Sequence, residues 1–419
     1  AHGRGVTLEG VAVVGGVGVR GGFGHLLSRV DVSNPFGHGH GGCVYFTSAG
    51  DPLTLTHSGH EISNSEIHDC RGLGDPWPSS AHPPHGRNPD PYPNITGNGV
   101  LINQVVGAAV RKNYIHDVNY HGVYIQSRLH SWFHHPGSVE SPTALVTIEL
   151  NHITNWNQCV SDPVCRTEGY LGADGGCVYF FTNLWGRGNR VLNNFCHQTS
   201  AELWHGKGLY LDGTSSGAEL VSGNVLWNVT GNIIDNNNGH DNHYFGNIAI
   251  GGVNMGAMTD SNFWTKVRGP YDAANFGAGC RNAAMPASFN MTRKIMAYAG
   301  SPAWRRRFPE MLRWLNRTSW EGRSCDPRGQ GTDCCMLPTG TVVNYSVMVS
   351  AAGARYHEIP PTFCGNTRAF DPPVGCWPDA AGFQRLGQQR RYTEDPGFVD
   401  MAGGNFALRR DARLFRDLP

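Results

Sequence analysis

Short apolar stretches recur along the chain in one register: EISNSEIHD (61–69), VRKNYIHD (110–117), IELNHITN (148–155), VLNNFCHQ (191–198), VSGNVLWN (221–228) and HYFGNIAI (243–250). In each, a small polar residue stands two positions before an apolar one, so Ser65, Asn113, Asn151, Asn194, Asn224 and Asn247 form one column. Its steps run 48, 38, 43, 30 and 23 residues, and the shortest is the bare repeat. A unit near 23 residues, built of short alternating strands and polar turns, predicts one coil of a parallel β-helix, and longer steps carry loops or a degenerate coil. The column of Asn side chains is then expected to hydrogen-bond from coil to coil.

A second column strengthens the pattern: GCVYFT (42–47), HGVYIQ (121–126), GCVYFF (176–181) and KGLYLD (207–212) all centre on a Tyr. Alternation along a strand sends Val44/Phe46, Val123/Ile125, Val178/Phe180 and Leu209/Leu211 inward, and Tyr45, Tyr124, Tyr179 and Tyr210 outward. Thr47, Gln126, Phe181 and Asp212 follow on the outer face. Flat rings beside polar groups suit a sugar-binding groove; a packed Tyr stack covered by loops fits the same pattern.

Residues 1–255 therefore read as β-helix coils. Residues 256–340 break the repeat and contain the one convincing helical pattern, Pro302–Asn316, with Met311, Leu312 and Leu315 at helical spacing, which predicts an insertion or lid. Strand pattern resumes at 340–353, so 341–419 read as closing coils and a C-terminal cap whose tail (395–416) runs turn, strand, turn. Residues 72–98 and 127–143 are long excursions, which in compact domains are commonly functional walls or lids.

Composition agrees with many strands and turns, since 56 Gly and 32 Asn disfavour helix interiors. The balance of 33 Lys+Arg against 33 Asp+Glu argues against a nucleic-acid partner. No run is long and apolar enough for a membrane span. The start at Ala1, with neither signal peptide nor initiator Met, reads as processed or truncated, and the bare strand-like GVTLEGVAVVGGVGV (5–19) leads us to expect missing residues, a neighbouring domain or a stacked copy at the first coil. Twelve cysteines without a CxxC pair read as disulfides rather than zinc ligands, hence an oxidising, secreted route. Five N-glycosylation sequons, at Asn94, Asn228, Asn290, Asn316 and Asn344, agree with that compartment, although chance supplies nearly as many in so Asn-rich a chain.

For chemistry, Asp212 and Asp235 lie 23 residues apart, the step from Asn224 to Asn247, so both carboxylates are expected in one column on neighbouring coils. Two carboxylates that close compete for a proton and suit acid/base work; an Asp in each turn accepting backbone amides is the structural reading of the same offset. None of the 20 histidines has HExxH spacing, and a catalytic transition metal is not expected. A calcium ion on turn oxygens of Asp235–Asp241 is the cation the pattern accommodates best.

The segments DGGCVYFFTNLWGRGNRVLNNFCH (174–197), HGKGLYLDGTSSGAELVSGNVLWNV (205–229) and NGHDNHYFGNIAI (238–250), in that order, resemble the core of right-handed parallel β-helix proteins of glycoside hydrolase family 141. SPAWRRRFPEML (301–312) and DPGFVDMAGGNFALR (395–409) resemble the family's later motifs, so the likeness runs from about residue 100 to 415. The resemblance implies a secreted carbohydrate-active enzyme of α-L-fucosidase or xylanase type using two Asp residues, here Asp174 and Asp212. The family's second Asp after the Leu is Gly213 in this chain. We therefore expect hydrolysis of a plant or algal type polysaccharide by Asp212 and Asp174, with Asp235 in reserve. Tyr124, Tyr179, Trp185 and Tyr210 are the rings expected against sugar, and His121, Arg187, His205, His240 and Asp241 the expected hydrogen-bonding groups. The rival class is a non-catalytic glycan-binding or structural protein of a surface coat or filament. A polysaccharide lyase ranks third, because only four Lys occur and Lys207 alone lies near a candidate Asp.

Overall fold

The computed structural model describes residues 4–35, 42–71, 97–127, 141–158, 175–181, 186–199, 206–212, 215, 217–229, 232–236, 241–251, 254–256, 298, 300–311, 342–344, 347–349, 386–387, 390–392, 398–400 and 405–412. Somewhat over half of these residues are strand, and nearly all of the strand lies in three parallel sheets of ten, ten and eight strands. The chain visits the sheets in rotation. Thr7–Glu9, Ala12–Val14 and Val17–Arg20 open the first, second and third sheet, and Leu26–Ser28, Asp31–Asn34 and Gly42–Ala49 add the next strand to each. Each strand thus pairs in parallel with the one three places on, a rotation that continues to Asn254–Gly256.

Pairing in register stacks like residues upon like. Ile62, Val110, Ile148, Val191 and Val221 form one buried column from the first sheet. Ile67, Ile115, Ile153, Cys196 and Leu226 form another from the second. The third sheet contributes the expected inward pairs from Val44/Phe46 to Leu209/Leu211, all at most 1% exposed. Each residue meets its counterpart about 4.8 Å away, which selects β-branched and aromatic side chains.

The turn from first to second sheet is two residues long and follows one rule. Its first residue takes a positive φ, as at Asn64, Lys112, Leu150, Asn193, Gly223 and Gly246. Its second is the expected Ser65 or Asn. Asn113 Oδ1 accepts from the Ser65 amide at 3.1 Å, Asn151 Oδ1 from Asn113, Asn194 Oδ1 from Asn151, Asn224 Oδ1 from Asn194, and Asn247 Oδ1 from Asn224. Each Asn from 113 to 247 also donates Nδ2 to a carbonyl of the preceding circuit. Buried turn amides are thereby satisfied at every step.

Two disulfides, Cys43–Cys70 and Cys177–Cys196, lie fully buried and tie third-sheet strands to second-sheet strands. The other eight cysteines lie outside the described residues.

The first two sheets continue beyond residue 341, because Val342–Asn344 pairs with His243–Phe245 and Val347–Val349 with Ile248–Ile250. The helix expected over 302–316 covers Pro302–Arg307. Pro309 explains the shortening: it disfavours helical geometry at Phe308, whose φ and ψ are −133° and 65°. The tail differs from the expected single strand, since Phe398–Asp400 and Asn405–Leu408 pair antiparallel.

Candidate functional site

The third sheet carries the candidate residues. Across neighbouring strands, Tyr45, Leu101, Tyr124, Tyr179, Tyr210 and Asp235 occupy one row, and Thr47, Asn103, Gln126, Phe181 and Asp212 the row two residues on. Asp212 and Asp235 are therefore not in one column. Asp235 stands opposite Tyr210, because the circuit from 210 to 235 is two residues longer than the Asn224-to-Asn247 circuit that guided the expectation. With about 3.3 Å rise per residue and 4.8 Å between strands, their Cα atoms lie diagonally, roughly 8 Å apart.

Each carboxylate has its own partner. The Tyr179 phenol donates to Asp212 Oδ2 at 2.7 Å. Lys207 Nζ sits 3.1 Å from Asp235 Oδ2 and 3.5 Å from the centre of the Tyr210 ring, a cation–π contact. Lys207 thus serves Asp235, the reserve candidate, as well as lying on the same strand as Asp212. Tyr179 and Tyr210 pack at 5.0 Å between ring centres, and Tyr124 lies 5.3 Å from Tyr179. Burial, and then the charge of Asp212, push the phenols of Tyr179 and Tyr124 upward, so both stay protonated donors.

Exposure separates the wall from its rim. Tyr179, Tyr210 and Asp235 are 5%, 3% and 1% exposed, so this part of the aromatic row is a covered stack, whereas Tyr45, Tyr124 and Asp212 are half-buried. His121 is fully buried, its ring stacked on Tyr179 at 3.9 Å. Its Nδ1 accepts from the Gly176 amide at 3.0 Å, which places the proton on Nε2, and burial drives its pKa well down. That Nε2–H finds no protein acceptor. A buried, unsatisfied donor packed among tyrosine rings is a signal of a polar ligand or water site.

Arg187 and Asp241, expected to reach sugar hydroxyls from loops, instead bond each other at 3.1 Å and are 2% and 8% exposed. Their pairing joins the corner before the Asn189–Leu192 strand to the one before His243–Phe245, a structural duty that loop composition did not reveal. Asp235 and Asp241 each face a cationic side chain, which leaves little charge for the calcium ion envisaged there. Among the described residues no group of three or more His, Cys, Asp or Glu could hold a metal. Asp174, Trp185, His205, His240 and Gly213 lie outside the described residues. Gly175, which follows Asp174, pairs with Gly206, six residues and roughly 20 Å along the strand from Asp212. Of the sequon residues, Asn228 is exposed; Asn344 belongs to the Val342–Asn344 strand, and Asn94, Asn290 and Asn316 are outside the described residues. No helix among the described residues is long and apolar enough to cross a membrane.

What the sequence did not announce is the partnering: Tyr179 with Asp212 and Lys207 with Asp235 both cross between strands 28 to 33 residues apart. Only the register could reveal them. No family model, curated protein or solved structure matches this chain.

Proposed function

We propose that the three-sheet rotation is a right-handed parallel β-helix and that the chain is a secreted glycoside hydrolase, of the family 141 kind its motifs resemble, acting on a plant or algal type polysaccharide. The observation that carries this reading is the diagonal of Asp212 and Asp235 on the outer face of the third sheet. Their Cα atoms, roughly 8 Å apart, stand on neighbouring strands, and an inverting pair needs its carboxyl groups ~6.5–9.5 Å apart to admit a water between sugar and base. Asp235, salt-bridged to Lys207, is the base on that water; Asp212, at the half-exposed rim, delivers the proton to the leaving oxygen through Oδ1 while Oδ2 accepts from Tyr179. Asp235, the reserve carboxylate, takes the second role in this proposal, because its strand pairs directly with that of Asp212. Two disulfides and the exposed sequon at Asn228 support secretion.

The covered state of Tyr179, Tyr210 and Asp235 favours a second reading, a non-catalytic glycan-binding or structural coat protein. Reducing-end release from fucosylated, xylan-type and uronic-acid polysaccharides decides between them. Hydrolysis that falls about 10²–10⁴-fold in both Asp212→Asn and Asp235→Asn supports the enzyme. Activity indifferent to Asp212→Asn refutes it, and wild-type protein that binds one of these glycans without cleaving it supports the second reading.

A further inference from the structure

A cavity of about 340 Å³ opens where the helix Pro302–Arg307 meets the corner between the third and first sheets. Its floor is aliphatic, from Leu55, Leu145 and Ala303, and its rim carries Thr54 and His57. Two guanidinium groups, Arg306 and Arg307, form the helical wall.

The cleft is held rigidly. Trp304, fully buried, donates its indole N–H to the Pro52 carbonyl at 2.6 Å, which fastens the helix to the 51–57 loop. The loop is in turn closed by Asp51, which accepts from the Thr54 hydroxyl at 2.6 Å. Arg307 is spent on the scaffold, its Nη2 lying 3.0 Å from both carboxylate oxygens of Glu219. Arg306 is exposed and forms no ion pair among the described residues. The cavity therefore presents one uncommitted planar cation above an apolar floor, in a size range that admits small organic ligands.

We infer that this cleft binds a small organic anion, a carboxylate on a compact apolar body, whose head group pairs with Arg306 and whose body covers Leu55 and Leu145. A guanidinium fork matches a carboxylate bidentately, in a charge-assisted pair. The aliphatic floor gains from an apolar body and gains nothing from an inorganic ion. This inference is independent of the glycan reading, since neither Asp212 nor the tyrosine wall lines the cleft.

The test is titration of the full chain, by calorimetry, with cyclohexanecarboxylate and benzoate, alongside the neutral cyclohexanemethanol and inorganic sulfate. Saturable one-site binding of the carboxylates is expected, weakened at least tenfold by Arg306→Gln, with the alcohol and sulfate each at least tenfold weaker than the carboxylates. Arg306 is exposed on the helix, so its replacement leaves the Trp304 and Arg307 anchors in place. Carboxylates that fail to saturate, or that bind Arg306→Gln as tightly, would overturn the inference. Equal binding of the alcohol would remove the role of charge, and equal binding of sulfate the role of the floor; either result also overturns it.

Discussion

Asn194 shows what one side chain does in this fold. Its Oδ1 accepts from both the amide and the Nδ2 of Asn151, at 3.0 and 2.9 Å, while its own Nδ2 donates to the Ile148 carbonyl and to Asn224 Oδ1. No water replaces these bonds at 1% exposure. Alanine there leaves the Asn151 amide and the Ile148 carbonyl without partners, at about 1–3 kcal/mol each. Asn194→Ala is therefore expected to cost about 3 kcal/mol in denaturant unfolding, and a loss under about 0.5 kcal/mol would show that the column is ornamental. The Asn column was legible in the chain because a hydrogen bond between identical residues in stacked turns demands the same residue at the same place. The roles of Asp235 and Arg187 were not legible, since a buried charge is defined by its partner, and each partner arrives from another circuit.

At the level of the element, the outer face of the second sheet carries a ladder of rings. His68 stacks on His116 at 5.3 Å, His116 on Tyr114, Tyr114 on His152, and His152 on Phe195 and His197. Two kinds of histidine result. Burial alone would lower His68, but Asp69 and Asp31 outweigh it and raise its pKa. His152 and His197 meet head to head, Nε2 to Nε2 at 2.6 Å, sharing one proton; burial and then their mutual repulsion bring His197 down to about 4. The signs are opposite. The raised His68 adds stability that is present below its ordinary pKa near 6.5 and fades as pH rises through the folded value. The lowered His197 adds stability that is whole above 6.5 and drains away as pH falls toward 4, where the unfolded chain binds the extra proton. Urea midpoints measured from pH 7 to pH 4 should fall, and His197→Gln should flatten that acid limb. An unchanged limb in the variant would place the acid sensitivity elsewhere.

Across the whole molecule, both described disulfides lie within the core and bridge the third sheet to the second, over separations of 27 and 19 residues. Closing loops of that length restrains the unfolded chain by about 3 kcal/mol each. Cys177→Ala with Cys196→Ala is expected to lower unfolding stability by about that amount, whereas a stability change near zero would mean that stacking alone sets the fold. The pairing was hidden in the sequence, because an even set of cysteines gives many connectivities and only strand order brings Cys177 beside Cys196. The helix begins at Pro302 as its pattern suggested but ends at Arg307, before its apolar spacing predicted, since Pro309 acts on the backbone whatever the hydrophobic pattern.

The chain by itself determined the strand alternation, the inward and outward residues of the third sheet, and the turn column, because each is dictated by local spacing repeated at every circuit. Only the tertiary structure decided that Asp235 stands opposite Tyr210, that Tyr179 serves Asp212, that Arg187 closes on Asp241, and that half of the aromatic row is covered. Those facts depend on circuit lengths that differ by one or two residues, and a shift that small moves a side chain to another row while leaving every local pattern intact.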